Sequence, residues 1–174
     1  MARREELSDA AIRVCAAGGL KGLTHRAVDA AAEVPPGTTS NYFRRRTDLV
    51  AAVAARLEER DLAVLDTRRP DSLDAMIDAF STAIVRLTVE NRDVTRVRLM
   101  LLLEAPDTLT GGHLRLRELA EASLRAYGVA EPERTARAVV DYLDGVVLHT
   151  VVAGIDPPPA EAVAEAVRRL VREA

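Results

Sequence analysis

Short hydroxyls and an amide stand together at Thr38-Thr39-Ser40-Asn41, between Gly37 and the pair Tyr42-Phe43, and Arg44-Arg45-Arg46 follows at once. Gly, Thr, Ser and Asn are poor helix formers, and an element built only for stability would use Ala, Leu or Glu. Short polar side chains instead offer donors and acceptors on a surface that can approach phosphates and base edges closely. The three arginines add positive charge beside them. Taken alone, such a run also fits a polar loop, and a triple arginine also fits a solvated helix start. What surrounds them must decide.

No other constellation competes. The three histidines, His25, His113 and His149, are scattered, and His25 fits a surface position as well as a contact. Cys15 sits on the apolar side of its segment, and no metal-ligand pair or phosphate-binding loop is present. Gly111-Gly112 follows no strand and reads as a linker. No enzyme, metal or cofactor is expected. A single cysteine excludes an intramolecular disulfide and fits a reducing cytosol.

The elements around the polar run are helical, and no segment sustains a period of two. A first helix fits residues 3–17, with Leu7, Ala11, Val14 and Cys15 on one face and Gly18-Gly19 as its stop. Thr24 reads as the N-cap of a short second helix to about Ala32, with Ala27, Val28 and Ala31 inward. Pro35-Pro36 ends it, and a third short helix runs from Pro36 to near Phe43, since Pro is tolerated at the first helical position. Thr47 or Asp48 starts a fourth, with Leu49, Val50, Val53, Leu57, Val64 and Leu65 apolar. Two short helices about a tight turn, with small residues facing inward on the first, can cross at the steep angle of a helix-turn-helix.

Here the chain resembles a known family. Thr24 to Ala32, Gly37-Thr38 to Tyr42-Phe43, and Arg46 to Leu49 are similar to the DNA-binding signature of TetR-type transcriptional regulators, over about residues 7–57. The resemblance implies that Thr24 caps the second helix and touches phosphate, with Arg26 nearby. It implies that Gly37 lets the backbone come close, that Thr38, Ser40 and Asn41 face the major groove, and that Tyr42 and Arg46 meet the phosphate backbone. Phe43 is implied as a core wedge that reads no DNA. Two residues depart from the pattern. The family commonly has Gly where Glu33 stands, a position favouring positive φ, so Glu there should cost roughly 1 kcal/mol. The turn residue is usually a capping Ser, and here it is Pro35, which cannot cap.

Composition agrees with this reading. The chain has 174 residues, 48% hydrophobic and 29% charged, so it can bury a sizeable core. Net charge is −3, yet residues 1–49 carry eight bases against six acids. The remainder is therefore acidic, an asymmetry of the right sign for an N-terminal nucleic-acid face. No apolar run approaches the ~20 residues of a membrane span, and the N-terminus lacks a signal-peptide core. A cytoplasmic location is expected.

Beyond Arg68-Arg69-Pro70, helices are expected at 72–90, 94–104, 114–127, 132–152 and 160–172, with a loop over 106–112 and a break at Asp156-Pro-Pro-Pro159. The expected fold is all-α: a helix-turn-helix domain at 1–46, then a helical-bundle ligand-binding and dimerisation domain at 47–174. Helix 132–152 carries two apolar sets, Val139, Leu143, Val146 and Val140, Val147, Val151, so one can serve the core and the other a partner. The family resemblance implies a homodimer through the last two helices and an inducer pocket in the bundle. Lining would come from Phe80, Ile84, Leu99 and Met100, with Leu103, Leu124 and Val146, and Tyr142 or His149 as polar anchor. Each of these also fits plain core. Few buried charges are evident, which favours an apolar or weakly polar effector. The function so implied is a repressor released from a palindromic operator by a small molecule. The alternative is a helical ligand-sensing or interaction module without productive DNA binding.

Overall fold

The computed structural model describes residues 2–65 and 70–173, with the backbone alone at 61–65 and 109–113. The Arg68-Arg69 break lies outside the described residues, as do the side chains of Val64 and Leu65. The described elements are α1 (Ala2–Gly22), α2 (His25–Ala31), α3 (Thr38–Tyr42), α4 (Arg46–Leu65), α5 (Leu73–Glu90), α6 (Arg92–Glu104), α7 (Pro106–Ala126), α8 (Pro132–Val151) and α9 (Ala160–Glu173). No strand occurs among the described residues, so the fold is all-α as expected. The chain forms two compact units, residues 1–63 with 96–110, and 64–95 with 111–174.

In the first unit α1 buries Leu7, Ala10, Ala11 and Cys15 along one face. The expected stop falls at Gly19, whose φ of +67° leaves the helical path before a last turn resumes. A side chain there would be strained, which is why glycine serves. Burial pushes the Cys15 thiol up to about 11, against a lowering by Arg46, so it stays a neutral packing group. α4 buries Leu49, Val53 and Leu57. It is tied to α1 where Arg56 donates to Asp9 at 2.7 Å and Arg60 pairs with the same carboxylate at 3.0 Å. Burial raises the Asp9 pKa, but the two guanidinium groups outweigh it and hold the carboxyl below its ordinary value.

The second unit is built on α5, α8 and α9. Ile77, Val139, Leu143, Val163 and Val167 form its core, with Phe80, Ile84, Val85, Tyr142 and Leu170 packed against it. Ser72 caps α5 by accepting from the Ala75 amide at 3.1 Å. Arg168 clamps α9 to α5 through Asp74 at 2.8 Å and Asp78 at 2.7 Å. Of the two apolar sets on α8, Val139, Leu143 and Val146 are buried. In the other set Val151 is buried while Val140 and Val147 are half-buried. Leu148 and Val152, 44% and 58% exposed, continue an apolar strip toward solvent.

One expected loop is helical. Residues 106–112 are not a loop: they open α7, which runs unbroken to Ala126. Pro106 occupies its first turn, where a missing N–H costs nothing. Gly111 and Gly112 disfavour a helix by about 1 kcal/mol each, which the helix-forming run from Leu114 onward overrides. The helix then closes at Gly128, φ +78°, where the Val129 amide donates to Leu124 O at 3.1 Å, a Schellman ending.

Candidate nucleic-acid interface

α2 starts as the sequence indicates. Thr24 has extended backbone, and its side chain accepts from the Ala27 amide at 3.1 Å. Its last turn is held by Arg13 of α1, which donates to the Ala31 carbonyl at 2.8 Å. Glu33 follows at φ +54°, the left-handed conformation that its departure from the family pattern anticipates.

α3 begins two residues later than expected. Gly37 is left-handed at φ +89°, so a helix cannot pass through it from Pro36, and it serves as N-cap without a side chain. The cap comes from α2 instead. Asp29 accepts from the Gly37 amide at 2.7 Å, from the Thr39 amide at 2.7 Å and from the Thr39 hydroxyl at 2.6 Å. Burial works to raise the Asp29 pKa. The hydroxyl and amide of Thr39, the amide of Gly37 and nearby His25 outweigh it, so the carboxyl lies below its ordinary value and stays ionised. At the other end of α3, His25 donates from Nε2 to the Phe43 carbonyl at 2.6 Å. Phe43 is fully buried, as its wedge role requires, and the Arg4 guanidinium lies 4.5 Å from its ring centre.

With Thr39 turned inward, the opposite face of α3 is presented to solvent. Ser40 and Asn41 are exposed and Tyr42 is 42% exposed. The Ser40 hydroxyl donates to Gly37 O at 2.8 Å and the Thr38 hydroxyl to Pro35 O at 2.6 Å, which leaves both oxygens free as acceptors. The Asn41 amide keeps its donors and acceptor unspent among the described residues.

The three arginines have different employments. Arg45 pairs with Asp48 at 3.0 Å and donates its backbone amide to the same carboxylate. These bonds hold the Asp48 carboxyl below its ordinary value. Arg46 donates to the carbonyls of Leu20 and Leu23, fastening the end of α1 to the start of α4. Arg44 is exposed and has no partner among the described residues, as has Arg26 at the start of α2. Arg44, which directly follows α3 and Phe43, and Arg26 in the first turn of α2 therefore carry uncommitted charge in the head.

Asp29, Thr39, His25 and Arg4 carry the local geometry, and their spacing gave little sign of it. Asp29 lies eight and ten residues before its partners, across a turn with positive φ at Glu33 and Gly37, so no helical or strand period links them. An acid on the inward side of α2 with a hydroxyl across the turn is a tertiary pairing, not a local one.

The expected effector residues divide between the units. Phe80, Ile84 and Tyr142 pack against the second unit's core; in the same unit Leu124 and Val146 are buried and His149 is exposed. Leu99 and Met100, in the first unit, are half-buried, and Leu103 is 81% exposed. A charged cleft of about 640 Å³ lies where α7 ends and α8 begins, lined by Arg117, Glu121, Arg125, Arg134 and Arg137 among others, and includes none of them. Among the described residues no group of His, Cys, Asp and Glu is placed to hold a metal ion. No described helix is long and apolar enough to cross a membrane.

These elements define an all-α protein with an N-terminal helix-turn-helix and a separate helical unit. Residues 71–173 match the tetracyclin repressor-like C-terminal domain, and the chain belongs to the TetR family. That match covers the second unit's helices, whereas the motif at residues 24–49 covers the head. EbrR, a multidrug binding protein solved with imidazole, is similar at 28% identity over 97% of this chain and 94% of its own, with a TM-score of 0.75. A TetR-family member from Streptomyces coelicolor A3 is 27% identical over 97% of each chain, with a TM-score of 0.79. A transcriptional regulator from Rhodococcus sp. Rha1 shares the fold at 21% identity over 98% of this chain and 94% of its own, with a TM-score of 0.81. No curated protein matches the chain.

Proposed function

We propose that this chain is a TetR-type transcriptional repressor, cytoplasmic and without catalysis, that grips a palindromic operator as a homodimer and releases it when a small molecule binds. Residues 1–46 carry the DNA contacts and 47–174 the ligand and dimer functions. The observation that carries the reading is α3: a short helix clasped to α2 through buried Thr39, with Ser40, Asn41 and Tyr42 turned outward. A helix so placed can enter the major groove, where Asn bonds a base edge bidentately and short hydroxyls accept or donate. Thr38, Ser40 and Asn41 read bases, while Gly37 leaves room for the backbone to approach. Thr24, Arg26, Tyr42, Arg44 and Arg46 meet phosphates.

Dimerisation through α8 and α9 is supported by the apolar strip at Leu148 and Val152. A two-fold pair of heads then spans half-sites about one turn, ~34–36 Å, apart. The effector site draws on Phe80, Ile84 and Tyr142, with Leu124, Val146 and His149 in the same unit. Among the described residues, the buried polar groups of the second unit are hydroxyls such as Ser81, Thr88 and Thr135 rather than charges, which supports an apolar or weakly polar ligand. EbrR has been solved with proflavin, malachite green and ethidium, so aromatic dyes are the first compounds to try. Ligand acts by favouring the conformer whose reading helices no longer match adjacent grooves, with α4 carrying the change.

The test is a gel shift on the intergenic DNA flanking the gene. Wild type shifts a fragment, and Asn41→Ala and Tyr42→Ala abolish the shift with dimer mass and melting unchanged. Arg44→Ala weakens binding to every duplex and flattens its salt dependence by about one unit of slope. Arg46→Ala weakens it too, but with a lower melting temperature, because its guanidinium also ties α1 to α4. Undiminished binding by Asn41→Ala and Tyr42→Ala contradicts the reading helix.

A further inference from the structure

α3 has five residues, far below the ~12–15 at which an isolated helix becomes even marginal in water. Its N-cap is a glycine, and the residues before it, Pro35 and Pro36, have no N–H to give. The length and cap of α3 therefore do little to fix where it points. Its far end is anchored by buried Phe43 and the His25 bond to the Phe43 carbonyl, while its start is set by Asp29, 4% exposed, and Thr39, fully buried, through three bonds of 2.6–2.7 Å. For stability alone an apolar pair would serve as well, since a buried carboxylate gives up its hydration to make such bonds. A carboxylate taking two amides and a hydroxyl does what an apolar pair cannot: it sets rotation and tilt together. Base-edge bonds work only over a few tenths of an ångström, so that setting bears on recognition.

We infer that Asp29 and Thr39 are positioning residues for operator recognition: they hold α3 in the pose from which Ser40, Asn41 and Tyr42 reach DNA, and touch no DNA themselves. The inference rests on the DNA-binding reading above. It makes the buried side of the helix, as well as its exposed side, a determinant of specificity.

The test measures affinity of full-length variants for the best duplex that wild type selects from a random library, and for a scrambled duplex of the same length. Thr39→Val keeps the shape and removes the hydroxyl, Thr39→Ser restores it, and Asp29→Asn replaces one acceptor oxygen by a donor facing an amide. Thr39→Val and Asp29→Asn should lose tenfold or more on the selected duplex while binding the scrambled one as wild type does, because phosphate attraction survives. Thr39→Ser should bind the selected duplex within about threefold of wild type. Losses shared equally by both duplexes, and accompanied by melting below the assay temperature, would mark a merely structural pair and overturn the inference. So would Thr39→Val binding the selected duplex like wild type. Should wild type itself select no duplex, the DNA-binding reading falls first, which is a different result.

Discussion

The turn between α2 and α3 and the core shared by α5, α8 and α9 are stabilised by different means. In and around the turn, side chains bond to backbone: Asp29 to two amides and His25 to the Phe43 carbonyl. In the core, aliphatic groups such as Ile77, Leu143 and Val163 interdigitate without direction. Hydrogen bonds specify angles and packing specifies volume. On the proposed function, the first suits a surface that must match base edges. The second suits a bundle that can accept shape changes around a ligand.

Substitutions that remove volume should cost most in both regions. Phe43→Ala is expected to destabilise by about 3–5 kcal/mol and Leu143→Ala by about 2–5 kcal/mol, measured by denaturant unfolding. Only the first should also remove binding to the selected duplex in the folded fraction, since it lies behind α3. Equal effects on binding would erase the distinction between the regions.

Next is Asp29→Ala, expected to cost about 2–3 kcal/mol by leaving buried donors unpaired. Because the folded Asp29 pKa lies below its ordinary value of 3.8, the stabilisation is fully present above that value. It is lost as pH falls through and below it. Wild type should therefore lose more stability than Asp29→Asn between pH 6 and pH 3, and parallel losses would contradict the ionised clasp. Smaller still, Glu33→Gly should stabilise by about 1 kcal/mol, because it relieves a positive φ. Thr24→Ala should cost about 1 kcal/mol by removing the α2 cap. Thermal melts of these two variants, shifting in opposite directions, check both ends of α2.

The head was largely readable from residues alone because its local rules are strict. Thr24 caps, Gly18-Gly19 and Pro35-Pro36 stop helices, and Phe43 is apolar between polar neighbours. The Asp29–Thr39 pair was not readable, since partners ten residues apart across a turn leave no periodic trace. The helix from Leu114 was readable, but its opening turns at 106–113 were not, because proline and two glycines look like punctuation when propensity is weighed without the rest of the chain. The second unit's helices were evident from apolar spacing. The same Leu and Val side chains serve equally as core or ligand wall, so spacing alone cannot separate those roles.

The central claim is that residues 37–44 form the surface that meets DNA. Hydrogen exchange on the full-length protein, with and without the selected duplex, addresses it residue by residue. Slowed exchange at the amides of residues 37–44 and 24–27, with little change in α9, is the predicted outcome. Protection confined to the second unit, with residues 37–44 exchanging as fast as in the free protein, would contradict it.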